Sequence, residues 1–366
     1  MNSARLFALA WRVLPYVPEV CTRTLFDVAA RVVHVLRIPA VRQLEANLSR
    51  LRPDLDRRAL RRVSRAGMRS YLRYFGEVFT LRGLRPEQIA ARVRAVDDQV
   101  PRRHLDQGRS VVAALGHTGN WDLAGAWSGQ HLARVLTVAE VLEPRGLFEE
   151  FLRFRADLGM DVIGLTKDGS VLRTLIRRSR ERTYLVPLLA DRDLSRRSVE
   201  VRAAGHPMRV APGPAALALA LKAPLVQAFV RHERLRGRRR KAAGSPWGTV
   251  IEFVPIEIPH HLSGSEQLVA ITQAWVDVLV ERIQAYPDQW HMLARVFTAD
   301  LDPQRLARAR AGADDDVLAG VVADDDVRGR GAPTVTDDDG GEPGAVTRPE
   351  EDGPVQQRPE SREGGR

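Results

Sequence analysis

Apolar residues crowd the start of the chain in an interrupted rhythm. Residues 3–14 and 19–36 each read as a helix, with Pro15 and Pro18 between them. In the second, Leu25, Phe26, Val28, Ala29, Val32, Val33 and Leu36 form a broad apolar face, and Arg23, Arg31 and Arg37 lie elsewhere. A basic, strongly apolar helix either packs onto a core or rests in a membrane interface. The pattern alone leaves both open. Residues 39–52 and 54–81 keep the helical period. Pro53 separates them, and Asp54 is positioned to cap the second. Tyr71, Tyr74, Phe75, Val78 and Phe79 recur at helical spacing, which makes them a core stripe by default.

The rhythm changes near residue 110. Short apolar runs at 110–115, 135–139, 161–165, 183–189, 198–203, 224–230 and 248–254 predict strands. Helical stretches at 120–131, 147–158, 168–179 and 212–222 fall among them, and a long helix is expected over 264–286. This alternation predicts an α/β fold with a mixed, largely parallel central sheet flanked by helices. Residues 235–246 read as a basic, flexible loop. Periodicity is lost after about residue 301, where three Asp triplets stand among Gly and Pro, the signature of a disordered tail. The expected division is 1–85 helical and membrane-associating, 86–301 an α/β core, and 302–366 an acidic tail.

Composition narrows the partners. The 366 residues suffice for one large α/β domain or two ordinary ones, and 44% hydrophobic content suits a sizeable core. The formal charge is +10, unevenly spread. Residues 301–366 carry about −7, which leaves about +17 on the preceding body. Such a body calls for a polyanion: nucleic acid, an anionic membrane or a phosphate-rich substrate. Only three of the basic residues are lysines, a bias that reads as genome composition before function. The single cysteine, Cys21, excludes an internal disulfide and a thiolate metal cluster. No run of 18 apolar residues exists, and the N-terminus lacks a clean apolar stretch with a cleavage site, so neither a spanning helix nor a signal peptide is expected.

The segment richest in chemistry is Gly116-His117-Thr118-Gly119-Asn120-Trp121-Asp122, directly after the strand at 110–115. A strand end, a glycine loop and a helix start are where α/β proteins place ligands and catalysis. On a continuous helix, five residues would set His117 and Asp122 about 140° apart. A loop at Gly119 could bring them together, Asp122 orienting the imidazole and leaving its other nitrogen free as a base. By spacing alone the pair is more often incidental. Asp191, just after the strand at 183–189, is either a hydrogen-bond partner for a substrate hydroxyl or half of an ion pair with Arg192. Glu200 is as open between pocket and solvent. Pro212-Gly213-Pro214 begins a helix whose N-terminus could meet an anion, and Arg234 to Lys241 could meet phosphates or only solvent. His260-His261 lacks further metal ligands at suitable spacing.

His117 and Asp122 match the H-x4-D motif of the glycerolipid acyltransferase superfamily. The sequence GHTGNWDLAGAW resembles the branch that contains bacterial lipid A acyltransferases and actinobacterial phosphatidylinositol mannoside acyltransferases. Further blocks follow in order: EEFLRFRADLGMD at 149–161, VPLLADRDLSRRSVEV at 186–201, VAPGPAALALALKAPL at 210–225 and YPDQWHMLARVFTADL at 286–301. The resemblance implies an acyl-CoA-dependent O-acyltransferase that needs no cofactor or metal. His117, Asp122 and Asp191 would be catalytic, and Arg155 (with Arg153 second), Arg192, Arg197 and Glu200 would bind substrate. For the aromatic stripe at 71–79 the alternative to core packing is an acyl-chain groove, and Trp290 and His291 would pack or shape the pocket. The last block and ADRDLS lie nearer the mannoside enzymes. Acyl-CoA, an anionic glycolipid acceptor and the cytoplasmic face of the cell membrane, bound peripherally, are the implied partners. Another glycolipid acceptor such as a lipid A precursor, a nucleic-acid-binding protein and a silent membrane scaffold are the competing readings. No nucleic-acid motif is present in the body to favour the second.

Overall fold

The computed structural model describes residues 9–139, 145–165, 170–195 and 197–310. All of them fall within the first of two contact units, Met1–Asp324. Residues 9–13 are helical, and a short 3-10 turn at Leu14–Tyr16 leads into α1 (Glu19–Val35). Helices α2 (Pro39–Leu51) and α3 (Arg57–Leu81) follow. The cap of α3 is Asp56, which accepts from the Ala59 amide at 2.6 Å. Asp54, expected there, instead pairs with Arg52 at 2.6 Å. Phe26 of α1 packs on Gly76 of α3, where an added methyl group would stand 3.1 Å from the ring.

Two short helices, α4 (Pro86–Arg92) and α5 (Gln99–Leu105), bracket β1 (Val93–Val96). The alternating part then runs β2 (Val111–Leu115), α6 (Trp121–His131), β3 (Val135–Ala139), α7 (Arg145–Asp157), β4 (Met160–Gly164), α8 (Ser170–Glu181) and β5 (Leu185–Leu189). After a hairpin, β6 (Val199–Ala203) and β7 (His206–Val210), come α9 (Gly213–Leu221), β8 (Leu225–Arg234), α10 (Gly237–Ala243), β9 (Trp247–Ile256), α11 (Gly264–Ala285) and α12 (Pro303–Arg310).

Seven strands form one sheet in the order β1-β9-β8-β2-β5-β3-β4. Every pairing is parallel except β8 with β9. This is the mixed, largely parallel α/β sheet with flanking helices that the alternation predicts. β2 lies near the middle, and all five of its residues are buried. Its side chains alternate between two cores, as the period of a strand requires. Val112 and Ala114 join α2, α8, α9 and α11 on one face, while Val111, Ala113 and Leu115 join α3, α4, α6 and Phe154 of α7 on the other.

Several expectations change. The strand at 199–203 does not enter the main sheet. It pairs antiparallel with β7 through a turn at Ala204 and Gly205, both at positive φ. The expected loop at 235–246 holds α10, because Arg239 is used internally: it bonds the Ala91 and Arg92 carbonyls and pairs with Glu233. Residues 303–310 are helical, so order persists beyond 301; the rest of the expected tail lies outside the described residues. No described helix is long and apolar enough to cross a membrane. The exposed large hydrophobics are concentrated in residues 9–36: Leu9, Val13, Tyr16, Val20, Leu25, Val28, Val32, Val35 and Leu36 make up nine of the thirteen among the described residues.

Candidate active site

The loop after β2 is clamped from several sides. The Thr118 amide turns back to the Gly116 carbonyl at 2.8 Å, and the His117 carbonyl accepts from the His291 amide at 2.7 Å. The Gly119 amide donates to the Gln289 carbonyl at 3.2 Å. Gly119 has φ +53°, and an added methyl would lie 2.6 Å from the Val230 carbonyl group. Only glycine fits there. Asn120 then starts α6, its side-chain oxygen accepting from the Leu123 amide at 2.9 Å. The chain thus holds His117 at the carboxyl edge of the sheet by backbone bonds before any side chain contributes.

Strand register supplies its partner. Leu115 of β2 faces Leu189 of the neighbouring parallel β5. Two residues further along each strand stand His117 and Asp191. His117 Nδ1 lies 2.5 Å from Asp191 Oδ1, and the His117 amide donates to Oδ2 at 2.9 Å. Trp290 Nε1 donates to the same Oδ2 at 2.8 Å. Asp191 is fully buried. Burial alone would raise its pKa, but the charge and hydrogen bond of His117 and the bond from Trp290 outweigh it, and the carboxyl titrates below its ordinary range. Burial alone would lower the pKa of His117. The charge and hydrogen bond of Asp191 outweigh both burial and repulsion from Arg192, and hold it above 6.5. An ionised Asp191 fixes the proton on Nδ1 and leaves Nε2 as the basic atom.

Asp122 is not the partner of His117. The cap at Asn120 starts α6 with Asp122 directed to α3 and α7. There it accepts from the Tyr74 hydroxyl at 2.8 Å and pairs with Arg155. Both members of this ion pair are buried, and the Arg155 guanidinium also lies 4.1 Å from the centre of the Phe151 ring. Burial, together with the charge of Asp122, raises the Tyr74 phenol well above its usual value, so it remains a donor. Among the arginines of its block, Arg155 is buried while Arg153 is exposed.

A second polar chain lies behind the loop. Asn120 donates to Glu77 at 2.7 Å, and Glu77 meets His232 Nε2 at 3.3 Å. Ser70 Oγ lies 3.1 Å from His232 Nδ1 and 2.9 Å from His291 Nε2. Burial, then repulsion from His232, His117 and Arg73, holds the His291 pKa well below 6.5, so this imidazole is neutral. The residues from Ser70, Tyr74 and Glu77 are separated by helical spacings on α3, and only packing shows that they face polar groups.

Both His117 and the Asp122–Arg155 pair open onto one cavity of about 810 Å³. Its remaining wall is chiefly apolar, with Ala113, Leu115, Val138, Phe151, Leu185, Ala228 and Phe253 among the lining residues, and Tyr71 and Tyr74 from the aromatic stripe. His117 keeps 37% of its side chain accessible. Arg192 also lines the cavity and is exposed. Asp191 and Arg192 are therefore neighbours with separate partners. Arg197 sits exposed on the loop before β6, outside the cavity lining. Glu200 lies away from the cavity as well: it alternates outward on β6 and pairs with Arg310 at 2.9 Å. Of the four proposed substrate-binding residues, the structure brings Arg155 and Arg192 to the cavity. Among the described residues no group of three or more His, Cys, Asp or Glu side chains is arranged to hold a metal ion.

The sequence matches the family model described as bacterial lipid A biosynthesis acyltransferase over residues 3–299. A phosphatidylinositol mannoside acyltransferase of Mycolicibacterium smegmatis is 32% identical over 304 residues, covering 82% of this chain and 93% of that protein. One of Mycobacterium tuberculosis H37Rv is 33% identical over 313 residues, covering 83% and 92% respectively.

Proposed function

The chain belongs to the bacterial lipid A biosynthesis acyltransferase family, and from that premise we propose that it moves a fatty acyl group from acyl-CoA to a mannose hydroxyl of a phosphatidylinositol mannoside, at the cytoplasmic face of the membrane. The observation that carries this reading is an oriented base facing an apolar cavity: His117, held through Nδ1 by buried Asp191, beside about 810 Å³ of mostly hydrocarbon wall.

In this mechanism Nε2 of His117 removes the proton of the acceptor hydroxyl as its oxygen attacks the thioester carbonyl. The tetrahedral oxyanion collapses, the carbon–sulfur bond breaks, and the CoA thiolate recovers the proton from His117. The products are an ester and free CoA. Asp191 fixes the tautomer and stabilises the imidazolium that forms, as an aspartate does in a hydrolytic triad. Arg155 supplies positive charge beside the cavity, and Asp122 with Tyr74 holds it in place. A preorganised cation in a dry site is worth more to a developing oxyanion than the same group in water.

The reading also needs the lipid surface. Val20, Leu25, Val28, Val32 and Val35 leave an exposed stripe along α1, and Arg23 and Arg31 lie on the same helix. Apolar insertion combined with basic side chains suits an anionic leaflet.

The test is acyl transfer from palmitoyl-CoA to purified phosphatidylinositol mannosides, with wild type and His117→Ala side by side. Loss of a general base lowers turnover by about 10² to 10⁴-fold. Transfer that survives His117→Ala refutes the mechanism. A folded wild type that acylates a lipid A precursor and not the mannosides refutes the acceptor.

A further inference from the structure

Next to the active-site cavity lies a second, more polar hollow of about 500 Å³, formed by Pro39, Ala40, Arg42 and Gln43 at the start of α2 and by Leu293, Ala294 and Arg295. Leu293 and Ala294 also line the active-site cavity, so the two spaces share a wall. Arg192 stands at this junction: it lines the active-site cavity, and its Nε donates to the Arg295 carbonyl at 3.4 Å. All three guanidinium side chains are exposed.

Among the described residues, Arg42, Arg192 and Arg295 make no ion pair within 4.0 Å, whereas Arg37, Arg50 and Arg52 around them do. The charge of Arg295 is felt by Asp300. This carboxylate is already held by two bonds from Arg50, at 2.6 and 2.7 Å, and by Gln43 at 3.1 Å. The first turn of α2 holds no acidic residue and has no side-chain cap. Arg42 and Arg295 line the hollow and Arg192 stands on the adjoining cavity, and arginine forks match phosphate oxygens in pairs.

We propose that Arg42, Arg295 and Arg192 form a phosphate-ester subsite, which holds the phosphate of a substrate while its reacting end lies beside His117. The ligand class rests on the transfer reaction above, in which both the glycolipid acceptor and the CoA donor carry phosphate. Leu293 and Ala294 are the threshold over which one of them passes between hollow and cavity.

Direct binding separates this subsite from the reaction. Titration calorimetry with two soluble probes, CoA and glycerophosphoinositol, needs no turnover. In the double variant Arg42→Ala/Arg295→Ala, affinity for one probe falls by roughly ten-fold or more, and Arg42→Lys/Arg295→Lys recovers part of it. Loss for CoA assigns the subsite to the donor, and loss for glycerophosphoinositol assigns it to the acceptor. In kinetics, the KM for that same substrate rises while the maximal rate changes far less. Equal affinities for wild type and double variant, or no binding of either probe by wild type, overturns the subsite. Failure of wild type to acylate mannosides bears only on the acceptor reading, because the binding measurements stand without it.

Discussion

Replacing Asp191 by Asn tests the site at its most constrained atom pair. The carboxylate accepts from three donors, His117 Nδ1, the His117 amide and Trp290 Nε1, with no accessible surface left. An amide of the same shape has one accepting oxygen. Two of the donors, the His117 amide and Trp290, converge on one oxygen, so the amide oxygen remains there and its NH2 turns toward Nδ1. Nδ1 must then accept, the proton moves to Nε2, and the base is lost. In a hydrolytic triad the same exchange of Asp for Asn costs roughly 10⁴-fold in turnover for this reason. A fall of about 10³ to 10⁴-fold is expected here.

The pH dependence carries a second, independent sign. In the proposed mechanism His117 works unprotonated, and Asp191 holds its pKa above 6.5. Activity therefore falls as pH drops through a midpoint above 6.5. In Asp191→Asn the raising contribution disappears, and burial and Arg192, which both lower the pKa, remain. The acid limb of the residual activity shifts to lower pH. Initial rates of acyl transfer from pH 5 to 9, with circular dichroism to verify folding, read both effects. A variant within about ten-fold of wild type, with an unmoved acid limb, refutes the assignment of Asp191 as the group that orients His117.

Three other outcomes follow from the same geometry. Asp122→Asn lowers turnover without moving the acid limb, since Asp122 touches Arg155 and Tyr74 and not the imidazole; as the variant leaves a buried guanidinium without its countercharge, thermal melting should also reveal a loss of about 3 kcal/mol, and a moved acid limb would return Asp122 to His117. Gly119→Ala forces a side chain into positive φ and onto the Val230 backbone, so a loss of about 3 kcal/mol or more is expected by chemical denaturation, and wild-type stability would contradict the clamped loop. Leu25→Glu with Val32→Glu, both at exposed positions on α1, should leave melting unchanged and reduce sedimentation with anionic vesicles, and undiminished binding would remove α1 from the membrane reading.

The sequence announces the alternation of β2 through β5 well because each strand is a short, largely apolar run between helical periods. It hides β1, since four residues, Val-Arg-Ala-Val, of which only Val93 is buried, carry no clear period at a sheet edge. It hides α10 for another reason: a run of arginines reads as solvated loop until Arg239 is seen to bond two carbonyls of the neighbouring segment. At the site, the glycines and His117 stand out because the loop chemistry is local. The partner of the histidine does not. H-x4-D sets an acid five residues away, yet the acid that touches the ring is 74 residues further on. What decides between them is strand pairing. With Leu115 opposite Leu189 in a parallel ladder, equal advance along β2 and β5 must bring residues 117 and 191 together at the sheet edge. Asp122, beyond an Asn120 cap that turns the chain into α6, is thereby free to hold Arg155 on the same cavity. The two acids thus stand at separate stations, one behind the imidazole and one behind the guanidinium, and neither station is visible from spacing alone.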